Sequence, residues 1–151
     1  MIAVIQRVSS ASVKVDGEIV GKCGKGLCIL LGVSREDTEA DADALVKKIL
    51  NLRIFCDDAG KMNLSLLDVS GELLVVSNFT LLASYKKGNR PDYMGAAAPL
   101  EANRLYEYFA ESCKATVPTE CGIFGADMDL AINNDGPVTI VMDSRVLLGK
   151  A

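Results

Sequence analysis

With 151 residues, half of them hydrophobic, the chain carries enough apolar mass to close one core over residues 1–151, and a single domain is expected. Its formal charge of −4 excludes the broad positive field on which non-specific DNA binding depends. Histidine is absent and the five cysteines form no C-x-x-C pair, which excludes the common zinc frameworks and any catalysis that needs an imidazole base.

In chain order, residues 2–8 and 11–15 are rich in β-branched side chains and predict two strands, and Asp16-Gly17 marks a hairpin turn into a third over 18–23. The start of the chain, interrupted by Gln6 and Arg7, lacks the apolar stretch of a signal peptide. No apolar run approaches the ~18 residues that a membrane span needs. With unpaired thiols added, a cytoplasmic protein with no membrane partner is expected. Residues 27–33 form a continuous apolar run that reads as a buried central strand.

Thr38 opens a capping box with Asp41, and Ala42, Leu45, Val46, Ile49 and Leu50 recur at helical spacing, so a helix is predicted over 38–51. A strand over 53–56 ends in the turn Asp57-Asp58-Ala59-Gly60, and another strand is predicted over 72–82. Residues 84–98 read as a loop. Pro99 suits the first turn of a second helix, running to 115, whose Ala102, Leu105, Tyr106, Phe109 and Cys113 share one face. Ala126, Met128, Leu130 and Ile132 then alternate with polar residues, and residues 138–142 read as the returning strand of a hairpin with Gly136-Pro137 at its tip. About eight strands and two helices predict a mixed α/β fold of mostly antiparallel sheet layers.

Two stretches hold candidate chemistry. At the tip, Gly136 has no Cβ to keep another molecule away, and Pro137 fixes φ, removes an N–H and makes the bond between them one of the few able to be cis. At the end of an apolar strand, Ser77, Asn78, Phe79 and Thr80 gather two hydroxyls and an amide where backbone N–H groups come free. Ser77 has neither a histidine nor an S-x-x-K or G-x-S-x-G setting, which argues against a serine nucleophile. Asp127 and Asp129 on one strand face make a poor cation site without further ligands, and no metal is expected. Lys86, Lys87 and Arg90 in the loop, and Lys47 with Lys48 on the helix, read either as solubilising charge or as phosphate contacts.

Taken together, Ser77-Asn78-Phe79-Thr80-Leu81, Asn133-Asn134-Asp135-Gly136-Pro137-Val138-Thr139 and the opening residues 1–8 resemble the D-aminoacyl-tRNA deacylase family, often called D-tyrosyl-tRNA deacylase. Further matching stretches are Arg53-Ile54-Phe55, Gly60-Lys61-Met62-Asn63, Gly88-Asn89-Arg90-Pro91 and residues 122–128. The resemblance implies that family's layered fold and a homodimer in which Gly136 and Pro137 of one subunit, joined by a cis bond, reach into the pocket around Ser77 to Leu81 of the other and reject L side chains at Cα. It implies hydrolysis of D-aminoacyl-tRNA, and of glycyl-tRNA, without metal or organic cofactor. Phe79 and Thr80 would lie at the ester carbonyl, with backbone N–H groups and the Thr80 hydroxyl as donors and the 2′-hydroxyl of the terminal adenosine assisting the water. Arg7 would brace the Gly-Pro loop, and Phe124 and Met128 would line the adjoining pocket.

One departure stands out, since Asn78 occupies a position where the family usually has Gln. The tail over 143–151 has no counterpart in the resemblance. Two alternatives remain at this point: a related deacylase for small L-amino acids, with a trans Gly-Pro bond, and a non-catalytic nucleic-acid-binding relative, which would call for a basic tail. Arg7 and Ser77 favour the D-specific branch, and no DNA partner is expected.

Overall fold

The computed structural model describes all of residues 1–151. Its spine is one antiparallel pair of long strands, β1 (Ile2–Val15) and β8 (Asp129–Asp143). The two strands predicted over 2–8 and 11–15 are thus one. On its other edge β1 changes partner, pairing through residues 2–8 with β3 (Gly26–Gly32) and through residues 11–15 with β2 (Glu18–Cys23). Ser9 and Ser10, which read as a break in the sequence, sit where this exchange occurs. The predicted turn joins β1 to β2 with Asp16 and Gly17 both at positive φ, 51° and 81°.

Two crossovers extend the sheet in parallel. Helix α1 (Glu39–Asn51) carries the chain from β3 to β6 (Glu72–Ser77), and α2 (Pro99–Lys114) carries it from β6 to β7 (Thr119–Cys121). The order is β2-β1-β3-β6-β7, with β8 on the free side of β1, and β4 (Phe55–Cys56) and β5 (Met62–Leu64) form a separate small ribbon. The sheet curls until β2 meets β7, where Lys22 N donates to Glu120 at 3.2 Å. Gly21 permits that closure, because a Cβ there would lie 2.4 Å from the Cys121 carbonyl oxygen.

The curl divides the interior in two. Ile5, Leu27, Ile29, Leu31, Leu73 and Val75 face α1 and α2 in a cluster of 23 buried residues, while Val8, Val13, Cys28, Leu74 and Val76 fill a smaller one of 7 inside the curl. Strands β3 and β6 are therefore apolar on both faces, which is why residues 27–33 and 72–77 lack alternation. The Thr38 backbone N donates to Asp41 at 2.9 Å as the capping box required.

Three expectations need correction. Residues 129–143 make no hairpin: the strand continues along β1 and swells into a bulge, Arg7 alone facing residues 135–138 between the pairs Gln6↔Thr139 and Val8↔Asn134. The strand predicted over 72–82 stops at Ser77 and turns into a 3-10 helix, Phe79–Leu82, because continuing would carry it past the end of β3. A third, one-turn helix α3 (Ser144–Leu147) follows β8. Ser144 is buried, accepts from the Met1 ammonium at 2.8 Å and donates to Asp41 at 2.7 Å, which folds the tail back onto α1.

Candidate functional site

Where β6 ends, the chain leaves the sheet without losing its anchor, since Asn78 N still donates to the Leu31 carbonyl at 2.8 Å. The 3-10 turn begins immediately afterwards, so the amides of Phe79 and Thr80 lie ahead of its hydrogen-bond ladder. The Thr80 hydroxyl donates to the Asn78 side-chain oxygen. Phe79 is 58 % exposed and stands edge-on to Tyr93, with ring centroids 5.1 Å apart.

These residues form one wall of a cleft of about 830 Å³. Its opposite wall comes from the segment after β7, where Phe124 leans against Tyr106 at 6.0 Å between centroids and Met128 closes the side. Tyr106 forms the floor and donates to the Val75 carbonyl at 2.9 Å. Burial raises its phenol far above the ordinary range, so it remains a neutral donor. The ionisable groups of the lining are Tyr93, Tyr106 and Asp127. The cleft thus offers apolar surface, amides and a hydroxyl, and no histidine, lysine or glutamate as a base.

Ser77, Asn78, Phe79, Thr80, Phe124 and Met128 all line this cleft. Arg7, Gly136 and Pro137 do not: within one chain they form a second, separate feature. Gly136 and Pro137 are exposed, and the bond between them is cis. Their bulge is tied at both ends: Val138 N donates to the Asn134 side chain at 2.8 Å, and Arg7 Nε donates to the Asp135 carbonyl at 3.0 Å. The Arg7 guanidinium is itself buried and held by the Ile54 carbonyl at 2.7 Å. At φ 142° Gly136 lies where side chains are strained, and a Cβ would come within 2.8 Å of the Val138 nitrogen.

Sequence reasoning missed Tyr93 and placed Tyr106 in the core. Tyr106 sits on the apolar face of α2, belongs to the core and also lines the cleft, a double role that helical spacing cannot carry. Asp127 and Asp129 join no group of three metal-ligating side chains. No helix is long and apolar enough to cross a membrane.

The family model for D-Tyr-tRNA(Tyr) deacylase matches residues 4–143, the span that contains both features. The chain belongs to that family. A D-aminoacyl-tRNA deacylase from Dehalococcoides mccartyi is 59 % identical over 146 residues, covering 96 % of this chain and 95 % of its own. One from Thermosipho melanesiensis is 54 % identical over 147 residues, covering 96 % and 98 %. Among solved structures, a c-Myc DNA unwinding element binding protein superposes with a TM-score of 0.90 at 45 % identity, covering 95 % of this chain and 98 % of its own. A probable eukaryotic D-amino acid tRNA deacylase superposes with a TM-score of 0.81 at 17 % identity, over 93 % of this chain and 97 % of its own, and shows the fold alone.

Proposed function

We propose that this member of the family is a cytoplasmic homodimer that hydrolyses the ester of D-aminoacyl-tRNA, releasing the free D-amino acid and tRNA. The observation that carries the reading is the separation of a donor-lined cleft, with Asp127 its only carboxylate, from a rigid, exposed Gly136-Pro137 bulge on the same chain. A second copy, inserting its bulge, would complete the site. Backbone carbonyls set against Cα would then hold the substrate's amino group and leave no room for an L side chain, whatever the amino acid.

Within the cleft, the amides of Phe79 and Thr80 are the donors for the oxyanion that forms when water attacks the ester carbonyl. The Thr80 hydroxyl, engaged with Asn78, helps to shape the turn that presents them. Asn78 thereby retains a role despite being one methylene shorter than the family's usual Gln. With no histidine in the chain, and with Asp127, exposed beside Met128 on the wall away from the Phe79 and Thr80 amides, as the only carboxylate of the lining, the substrate's own 2′-hydroxyl assists the water. Arg7 braces the bulge, and Phe124, Met128 and Tyr106 accept the apolar part of the substrate. Ser77 lies at the end of β6 beside these donors.

The likeness to a DNA unwinding element binding protein does not favour DNA here. The tail has its cations paired, Arg145 with Asp143 at 2.6 Å and Lys150 with Asp41 at 3.6 Å, and offers no free basic segment. A gate that reads only the α-carbon has nothing to reject in glycine, so glycyl-tRNA is also cleaved. Incubating D-Tyr-tRNA and Gly-tRNA with the protein and following the free amino acids tests both statements: persistence of the D-tyrosyl ester would contradict the activity, and persistence of the glycyl ester alone would contradict the gate.

A further inference from the structure

The loop between the 3-10 turn and α2 has a charge balance opposite to that of the chain. From residue 73 to residue 100 the only acidic side chain is Asp92, against Lys86, Lys87 and Arg90, a local balance of +2 within a protein of −4. Asp92, also exposed, is engaged by the loop's own backbone, accepting from Met94 N at 3.1 Å. The three cations are exposed and form no ion pair or side-chain hydrogen bond, unlike Arg104, Lys114 and Arg145 elsewhere on the surface. Tyr85 precedes them and is 82 % exposed, a large aromatic surface left in water.

The fold fixes where this group stands. Ser84 and Asp92 exchange hydrogen bonds of 2.8 and 2.9 Å, which close residues 85–91 into a projecting loop. The neck on one side follows the turn that bears Phe79 and Thr80, and on the other runs directly into Tyr93, which packs on Phe79 and lines the cleft. Gly95 is tied in turn to the backbone of Arg35 at 3.2 Å and Ala97 to Val33 at 3.0 Å, so the base of the loop is held to the sheet. An exposed aromatic beside three unpaired cations at the lip of a cleft is the combination that binds single-stranded nucleic acid, with stacking on the ring and phosphates on the cations.

We infer that residues 85–90 form a second contact for the RNA part of the substrate: Lys86, Lys87 and Arg90 meet phosphates of the single-stranded 3′ end, and Tyr85 stacks on one of its unpaired bases. This rests on the deacylase reading, because only a substrate whose terminal nucleoside occupies the cleft would lay its chain across this lip. The contact supplies affinity for RNA in a protein whose overall charge opposes it, and it lies outside the residues that act on the ester.

The test compares wild type with the triple variant Lys86→Ala, Lys87→Ala, Arg90→Ala and with Lys47→Ala, Lys48→Ala, which removes cations from the exposed side of α1. Two substrates are used, D-Tyr-tRNA and D-tyrosyl-adenosine, which carries the same ester without the RNA chain. In the triple variant the ratio of kcat/KM on tRNA to kcat/KM on the adenosine ester falls at least about tenfold, through KM. The salt dependence of binding to uncharged tRNA flattens by about 2 in log–log slope, the expectation for three lost single-strand phosphate contacts. The α1 variant leaves both readouts as in wild type. Equal losses on the two substrates, or an unchanged salt slope, would overturn the inference. If wild type cleaves neither ester, the deacylase reading fails while the uncharged-tRNA measurement still judges the loop. Tyr85→Leu, which keeps apolar area and removes the stacking face, lowers tRNA affinity without changing the slope.

Discussion

Replacing Gly136 by Ala perturbs the bulge at the point of closest approach. Gly136 holds φ at 142°, and an added Cβ would meet the Val138 nitrogen and Cγ2 at 2.8 Å and the Arg7 guanidinium at 3.4 Å. Two of these neighbours are fixed, since Val138 N is bonded to Asn134 and Arg7 to Asp135 and Ile54. The backbone must therefore move, and the carbonyls on either side move with it. A non-glycine residue in such a region costs about 1–3 kcal/mol. If the bulge must return to its native shape to hold the substrate, that cost falls on the transition state, and at about 1.4 kcal/mol per tenfold it lowers kcat/KM for D-Tyr-tRNA by roughly 5- to 150-fold. In a chain of this size the same strain lowers Tm by about 2 to 12 °C, leaving the protein folded at assay temperature. Gly60→Ala is the control, because Gly60 also has positive φ, 75°, but nothing lies within 4 Å of its Cβ position and it sits in the turn after β4. It should lose comparable stability and no activity. Single-turnover deacylation with melting curves on both variants decides the matter, and full activity in Gly136→Ala would refute the gate.

Thr80→Ala should slow hydrolysis less than about tenfold, because the hydroxyl donates to Asn78 and the proposed oxyanion donors are the amides; a loss of about 10²–10³, the usual effect of removing such a donor, would assign that work to the hydroxyl. Acid stability should depend on Asp41. Burial pushes its carboxyl up, but hydrogen bonds from Ser144 and from Thr38 outweigh this and hold its pKa below the ordinary value. Its contribution is then complete above the unfolded value of about 4 and is lost as pH falls through the lower folded one. Asp41→Asn should be less stable than wild type at pH 7 with the difference shrinking below pH 4, and a constant difference in melting temperature across that range would contradict the assignment.

Much of this architecture is legible in the sequence because it follows from periodicity and capping. Helices α1 and α2 begin where Thr38 and Pro99 place them, and the doubly buried strands β3 and β6 show as unbroken apolar runs. What escaped has physical reasons. Alternation on both sides of a Gly-Pro pair is the same in a hairpin and in one bulged strand; only the length of β1, which pairs with residues 129–134 and 139–143 on either side of the bulge, distinguishes them. Leu81 and Leu82 continue the apolar character of β6 although the chain has already turned into a 3-10 helix. Helix α3 is one turn long, too short for any period, and is fixed by the buried Ser144. The cleft wall from Ser77 to Thr80 was legible because polar groups interrupt an apolar strand, whereas Tyr93 lies in a loop with no pattern to mark it. That Gly136 and Pro137 stand apart from that wall within one chain was implied by the family resemblance and not by any pattern of the residues themselves.

The most direct measurement is the rate of deacylation of D-Tyr-tRNA against L-Tyr-tRNA by the same purified protein, with a metal chelator present. The account predicts rapid loss of the D ester, loss of the L ester no faster than in buffer, and no effect of the chelator. Equal loss of both esters, preference for the L ester, or inactivation by the chelator would contradict a metal-free site that reads chirality with backbone groups.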